Sequence, residues 1–269
     1  MATLARELQM LSSGIHTIEE TREDLDELVE FMRHMPGQQD DFIPTFAEIR
    51  HLKLEVLNEV KSFMMNPDIP YNDIPDKFKH DALGFYSCGR NLYSGRYVFP
   101  VFDVRSHVMG FCGYDCEGNP KYLDSLNFGY KAKHCGFFGM QYMPKYYKQN
   151  QLVICEGPVC MLYMIGEGLP AVSSLGSKPS EYMLQMGRRF GPNCLVIPDG
   201  CGDEAGLSYR HFAQRALPEA RVVQPTKAKD IDDTRLLLLK NGESNGNEII
   251  AEEIRRLLAD PFYESDFFA

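Results

Sequence analysis

The chain has 269 residues, enough to bury a sizeable core as one large domain or two smaller ones. Its 44% hydrophobic and 25% charged residues are those of an ordinary soluble globular protein. A net charge of −10 argues against nucleic acid as a partner, although the charge is unevenly spread.

No apolar run approaches the roughly 18–20 residues needed to cross a membrane, so no membrane partner is expected. The first residues, MATLARELQMLSSG, are too polar for an export signal, and a cytoplasmic setting follows, the host's cytoplasm if the protein is viral. The eight cysteines are scattered through strands and helices and read as buried free thiols.

Residues 1–75 read as a helical N-terminal region. HTIEETREDLDELVEFMRHM places Ile18, Leu25, Leu28, Val29 and Met32 near one helical face, with acids on the other. A second helical stretch is expected over 42–65, ended by NPDIPYNDIP. Residues 76–150 form an α+β segment, in which RYVFPVFDV and HVMGFCGYD predict a hairpin turning at Arg105–Ser106. Between Asn119 and Cys155 the only acid is Asp124, against Lys121, Lys131, Lys133, Lys145 and Lys148. A local basic surface of this kind keeps nucleic acid in play on an acidic protein.

From Gln151 the pattern becomes βα repeats over 151–240. Strands are expected at 152–155, 171–174, 194–197 and 221–224, with helices between them, so the sheet is parallel. NGESNGN then reads as a linker before a terminal helix at 247–259, within a C-terminal segment 241–269. In such a sheet ligands gather at the carboxyl ends of the strands. Glu156 follows the first of these strands, Asp199 and Asp203 follow the third, and Asp230, Asp232 and Asp233 follow the fourth. Clustered carboxylates repel by roughly 4 kcal/mol per pair at about 4 Å and an effective dielectric near 20. A bound cation relieves this, and oxygen-only ligands favour Mg²⁺ or Mn²⁺ and phosphoryl chemistry. Asp203 could equally be only a helix N-cap, as could Asp232 or Asp233; Glu156, before Gly–Pro, has no evident capping task.

ICEGPVCML, VIPDGCGDEAG and KDIDD together resemble the TOPRIM domain. RYVFPVFDVRSHVMGFCGYDCEGNPKYLDS and KHCGFFGMQYM, upstream and in the right order, resemble the amino-terminal half of the bacterial or phage-type DNA primase catalytic core. The resemblance covers roughly residues 50–240. It implies an α/β architecture, a TOPRIM-type parallel-sheet domain preceded by an α+β primase subdomain and the helical N-terminal region. It also implies metal-dependent synthesis of short RNA primers from NTPs on a single-stranded DNA template. Glu156 would be the catalytic carboxylate, and Asp199 or Asp203 with Asp230 and Asp232 would bind the divalent ions, two in number. Arg96, Lys121 and Lys133 would contact nucleotide or template. A replicative helicase or another replication protein would act in trans.

Three departures stand out. Cys160 occupies a position where primases often carry another acid. The Asp-x-Asp-x-x-Gly run is interrupted: either Cys201 replaces the second Asp, or Gly–Cys is inserted and Asp203 takes its place, the preferred alignment because Asp203-Glu-Ala-Gly206 matches the motif's end. No CxxC pair is present, so no zinc is expected, and Cys112 and Cys116 read as structural. A degenerate, non-catalytic core and a TOPRIM nuclease are the competing readings.

Overall fold

In this computed structural model the described residues are 25–35, 41–65, 71–78, 93–115, 117–118, 120–124, 126–127, 130–131, 136–176, 179–200 and 202–269. Contacts divide them into two compact units, one drawn from 1–48 and 58–132, the other from 49–57 and 133–269.

The first unit is built on an antiparallel sheet of β1 (Phe63–Met64), β2 (Tyr97–Phe102), β3 (Val108–Tyr114) and β4 (Tyr122–Asp124), in that spatial order. The expected hairpin is present: β2 pairs with β3 from Tyr97↔Tyr114 to Phe102↔Val108, with a register shift between Val101 and Phe102. Its turn is stabilised by Asp103, whose Oδ1 accepts from the amides of Arg105 (2.8 Å) and His107 (3.0 Å). Residues 25–33 are helical, and the apolar face read from the sequence is the buried one: Leu25, Leu28, Val29 and Met32 join Phe63, Val98, Phe102, Val108 and Phe111 in one core. Ile18 lies outside the described residues. Phe46 adds an aromatic contact, stacked on Tyr97 at 4.2 Å between ring centroids.

The helical stretch expected over 42–65 is instead two short helices, Ile43–Ile49 and Leu54–Glu59, followed by strand β1. His51 and Lys61 take φ values of 48° and 55°, which end each helix. Pairing of Phe63 with Val98 and of Met64 with Tyr97 then overrides helical periodicity. Two further short strands, β5 (Leu126–Asn127) and β6 (Tyr130–Lys131), pair with each other.

The second unit holds the parallel sheet: β7 (Leu152–Cys155), β8 (Ala171–Ser173), β9 (Cys194–Ile197) and β10 (Arg221–Val222), ordered β10-β9-β7-β8. All four strands fall where the alternation placed them, β8 and β10 shorter than expected. Leu152, Ile154, Val172, Cys194 and Val196 face a core shared with the helices Met143–Gln149, Glu181–Gly187 and Glu204–Ala216. The alternate strand residues Val153, Leu195 and Ile197 are equally buried, so the sheet is covered on both faces, as parallel sheets must be. The helices Pro158–Gly166, Ile231–Lys240 and Gly246–Ala259 form a second group, tied by the Tyr163 hydroxyl donating to the Asn247 carbonyl and by Arg235 donating to Asn247 Oδ1 at 3.1 Å. Residues 241–245 are a tight turn rather than a linker, with Gly242 N–H on Leu239 O and Gly246 N–H on Glu243 O. The tail returns to the sheet: Gln224 and Ala269 exchange both backbone hydrogen bonds (2.7 and 2.9 Å), and Phe268 is buried.

Candidate active site

Strand order reverses between β7 and β9, because β8 lies on one side of β7 and the later strands on the other. A crevice opens at such a switch point, outside the carboxyl ends of the strands. Glu156 follows β7 and Asp199 lies two residues beyond β9, so both flank this crevice. The Asp199 amide donates to Glu156 Oε1 at 3.0 Å, which fixes the glutamate across the reversal.

The backbone of Glu156 is held from β8. Ser173 Oγ donates to Glu156 O at 2.6 Å, and the Gly176 amide donates to the same oxygen at 3.2 Å. Ser174 Oγ reaches Gly176 O at 2.8 Å, closing a tight loop in which Leu175 sits at φ 56°. Asp199 is held from β10's extension, by the Gln224 side-chain amide donating to its carbonyl, while Gln224 accepts from Arg210 at 3.1 Å. These serines and Gln224 were missed in the sequence. The Ser-Ser-Leu-Gly run after a strand was the available signal for the first group; nothing local marks Gln224.

Two glycines explain the spacing around Asp199. A Cβ on Gly206 would stand 2.0 Å from the Asp199 carbonyl oxygen, and one on Gly200 would stand 2.3 Å from Pro225 O. Only glycine lets helix Glu204–Ala216 start this close to the strand end. Asp203 is the N-cap of that helix, its Oδ1 accepting from Ala205 (2.9 Å) and Gly206 (3.2 Å). Its other oxygen is 3.1 Å from Lys229 Nζ, and the same ammonium lies 3.7 Å from Asp199 Oδ2. Capping and membership of the acidic group are therefore both true of Asp203. Asp230 caps helix Ile231–Lys240 by accepting from the Asp233 amide at 2.7 Å, the task expected of Asp232 or Asp233.

Burial dominates the electrostatics of this group. Burial, opposed by the Asp199 amide hydrogen bond and aided by Asp203 and Asp230, pushes the Glu156 carboxyl up to about 7. Burial together with Glu156 and Asp230 pushes Asp199 up to about 8. Burial acts upward on Asp203 too, but Lys229 and the two capping amides outweigh it and leave its carboxyl below the usual range. Cys160 is a buried free thiol pushed well up by burial and by Asp230, so it does not supply the charge of the missing acid.

Asp232, expected among the metal-binding acids, is not brought to this group. It is 2% exposed and ion-paired to both Arg235 and Arg50, and Arg235 is itself 0% exposed. The first turn of helix Ile231–Lys240 aims it into the protein, where two guanidinium groups meet it. Arg96 and Lys121, in the first unit, are neighbours: Arg96 is largely buried and its Nη1 donates to Lys121 O at 3.2 Å. The Lys121 ammonium is exposed, 5.6 Å from the centre of the Tyr114 ring. Lys133, Cys116 and Cys201 lie outside the described residues.

The residues present fit a divalent cation. Glu156, Asp199, Asp203 and Asp230 are oxygen donors only, two of them strongly destabilised as bare anions, and Lys229 already stands among them as a counter-charge. Among the described residues, no group of three or more histidine, cysteine or carboxylate side chains is placed to hold a metal ion by itself. A hydrated ion such as Mg²⁺ does not require one, since it keeps several waters.

Solved structures share this fold. The DnaG catalytic core matches with a TM-score of 0.66 at 23% identity, covering 86% of this chain and 78% of that one. The Aquifex aeolicus primase, comprising zinc-binding and RNA polymerase domains, matches at 0.68 and 21% identity over 90% of this chain and 60% of its own. The fold is that of a bacterial DNA primase catalytic core. In sequence, a DNA primase of Rickettsia felis is 31% identical over 155 residues, 51% of this chain and 26% of that protein. One of Aquifex aeolicus is 28% identical over 174 residues, 63% of this chain and 33% of that protein. The chain thus spans about a quarter to a third of the curated primases it matches. No protein-family model matches it. The mixed α/β architecture and the primase resemblance read from the sequence are borne out. Among the described residues no helix is long and apolar enough to cross a membrane.

Proposed function

We propose that this chain catalyses template-directed synthesis of short RNA primers on single-stranded DNA, by nucleotidyl transfer from NTPs. The observation that carries the reading is the pairing of Glu156 with Asp199 across the switch point, both pushed up, to about 7 and about 8, by burial and by neighbouring acids. A solved DnaG catalytic domain bound to single-stranded DNA matches with a TM-score of 0.67 at 23% identity and supports the choice of template.

In the reaction the 3′-hydroxyl of one nucleotide attacks the α-phosphate of the next, and pyrophosphate leaves. Asp199, Asp203 and Asp230, with Glu156, would hold Mg²⁺ or Mn²⁺, in two sites as the resemblance implies. When bound, such ions stabilise charge on the attacking and leaving oxygens. The chain's own contribution is to keep these carboxylates from relaxing apart. Ser173 and Gly176 fix the Glu156 backbone, and Gln224 fixes the Asp199 backbone. Glu156, hydrogen-bonded to the Asp199 amide, would accept the proton of the attacking hydroxyl. Lys229 neutralises Asp203 and Asp199 before ions arrive and is exposed enough to swing away afterwards. Lys121, Arg96 and Lys133 would contact phosphates of nucleotide or template without reading sequence. A replicative helicase is the natural partner for template capture, and the cytoplasm the setting.

The commitment of Asp232 to Arg50 and Arg235, with Cys160 as a buried thiol, favours a second reading: a core that binds nucleic acid without catalysis. One assay separates the two. The protein is incubated with single-stranded templates, labelled NTPs and Mg²⁺ or Mn²⁺, beside Glu156→Gln. Template-dependent oligoribonucleotides that fall on the order of a thousandfold in the variant are expected. Template binding with no product, even with a replicative helicase present, would select the second reading, and template degradation would select a nuclease.

A further inference from the structure

The three segments that enter β7, β9 and β10 at their amino ends carry a concentration of positive charge. Helix Met143–Gln149, leading into β7, carries Lys145 and Lys148; the 3₁₀ turn Arg188–Asn193, leading into β9, carries Arg188 and Arg189; Arg215 closes helix Glu204–Ala216 ahead of β10. All five side chains are exposed, and among the described residues none of them lies within ion-pair distance of a carboxylate. In a parallel sheet these entries necessarily share one edge, the edge opposite the strand-end acids. Here, in a chain of net charge −10, five exposed cations share one edge, none of them in an ion pair among the described residues.

The segments are also joined to one another. Tyr147 stacks on Phe190 with ring centroids 5.0 Å apart and planes 10° apart, and the Arg189 guanidinium lies 5.3 Å from the Tyr147 ring. Arg188 Nε donates to Ala216 O at 2.7 Å, which leaves its remaining N–H donors available to a ligand. Between Arg188 and Arg215 lies a cavity of about 390 Å³ whose other walls include Leu217, Pro218 and Ala220, with Glu219 its one acidic lining residue. That volume is within the range of small-molecule sites, and apolar walls beside two arginines suit a nucleotide: phosphate on the guanidinium groups, base against the apolar side.

We infer that this amino-terminal edge is a second nucleic-acid site, which holds the phosphate backbone of single-stranded DNA or RNA away from the acids that react. The choice of a nucleic acid over an acidic peptide rests on the proposed function and on the partly apolar cavity beside Arg188 and Arg215. A strand would run from the cavity across Arg189 to Lys148 and Lys145, contacting phosphates and reading no sequence.

The test uses the full chain and its K145E/K148E/R215E and K145Q/K148Q/R215Q variants, whose replaced side chains make no ion pair among the described residues. Binding of fluorescein-labelled single strands of about 10 and about 30 nucleotides, lengths below and above one typical site size, is measured against salt. Expected is an affinity loss for the longer strand of at least about tenfold in the charge reversal, less in the neutral variant, with the salt slope smaller by about two for three lost phosphate contacts. Primer synthesis on the short template should be unchanged. Unaltered affinity and salt slope in the folded charge reversal, verified by its melting curve, would overturn the inference. Loss of binding to polyglutamate with DNA binding intact would overturn it in favour of an acidic protein partner. If the longer strand binds through this edge while the wild-type protein makes no primers, the proposed function fails and this site stands; normal synthesis with an indifferent edge gives the opposite result.

Discussion

The second unit sets its carboxylates in two surroundings of different charge balance. At the strand ends, beside Glu156 and Asp230, the partly exposed ammonium of Lys229 pairs with Asp203 and Asp199. Three residues past Lys229, Asp232 is ion-paired to two guanidinium groups, one of them on the fully buried Arg235. Burial raises two carboxyls of the first group, whereas the carboxylate of the second is matched by guanidinium groups. The first is the proposed metal site, and the second holds the fold. The burial penalty is met by protonation in one case and by ion pairing in the other.

The largest expected effect lies on the guanidinium-paired side. Asp232→Asn leaves Arg235 buried without its carboxylate and should lower stability by about 3–5 kcal/mol in urea unfolding. Asp232→Asn/Arg235→Met removes both charges and should recover most of that loss, since Arg50 keeps some access to solvent. Equal destabilisation in the single and double variants would mean that Asp232 does not act through Arg235.

The strand-end side should show itself in pH dependence. Glu156 and Asp199 titrate at about 7 and about 8 in the fold, whereas unfolded carboxyls titrate near 4, so the folded state binds more protons across that interval. Stability contributed by the protonated forms is full below about pH 4 and is lost as pH rises through about 7 to 8. The melting temperature of the metal-free protein should therefore fall by several degrees between pH 5 and 8.5. Mg²⁺ should restore it more at pH 8 than at pH 6, and Asp199→Asn should flatten the profile. A wild-type profile that is already flat would contradict the raised carboxyls.

A smaller effect is expected at Lys229. It is 57% exposed, so Lys229→Gln should cost at most about 1 kcal/mol of metal-free stability. Removing an ammonium that competes for Asp199 and Asp203 should tighten Mn²⁺ binding a few-fold, read by calorimetry without nucleotide. Weaker Mn²⁺ binding would show that the lysine supports the site rather than shielding it.

The sequence carried the strand-end acids because position after a buried parallel strand is itself geometric information. Glu156, Asp199 and Asp230 needed only the alternation of strands and helices to be placed on one edge. Asp232 could not be sorted the same way: its fate depends on Arg50, which reaches it across about 180 positions of the chain. Gln224 and the returning tail were invisible for the same reason, since the pairing of Ala269 with Gln224 has no local pattern. Phe63–Met64 read as helix because its partner, Tyr97–Val98, lies more than thirty residues away. The basic edge was half legible: Lys145 and Lys148 stood out in an acid-poor stretch, but only parallel pairing brings Arg188, Arg189 and Arg215 to the same edge.

The most direct test of the two-group account is a calorimetric titration of Mn²⁺ into the wild-type protein, Asp199→Asn and Asp232→Asn/Arg235→Met at pH 7.5. The account requires wild-type binding that weakens about tenfold or more in Asp199→Asn and persists within a few-fold in the double variant. Binding that is lost in the double variant but kept in Asp199→Asn would place the metal on the wrong carboxylate and contradict the account.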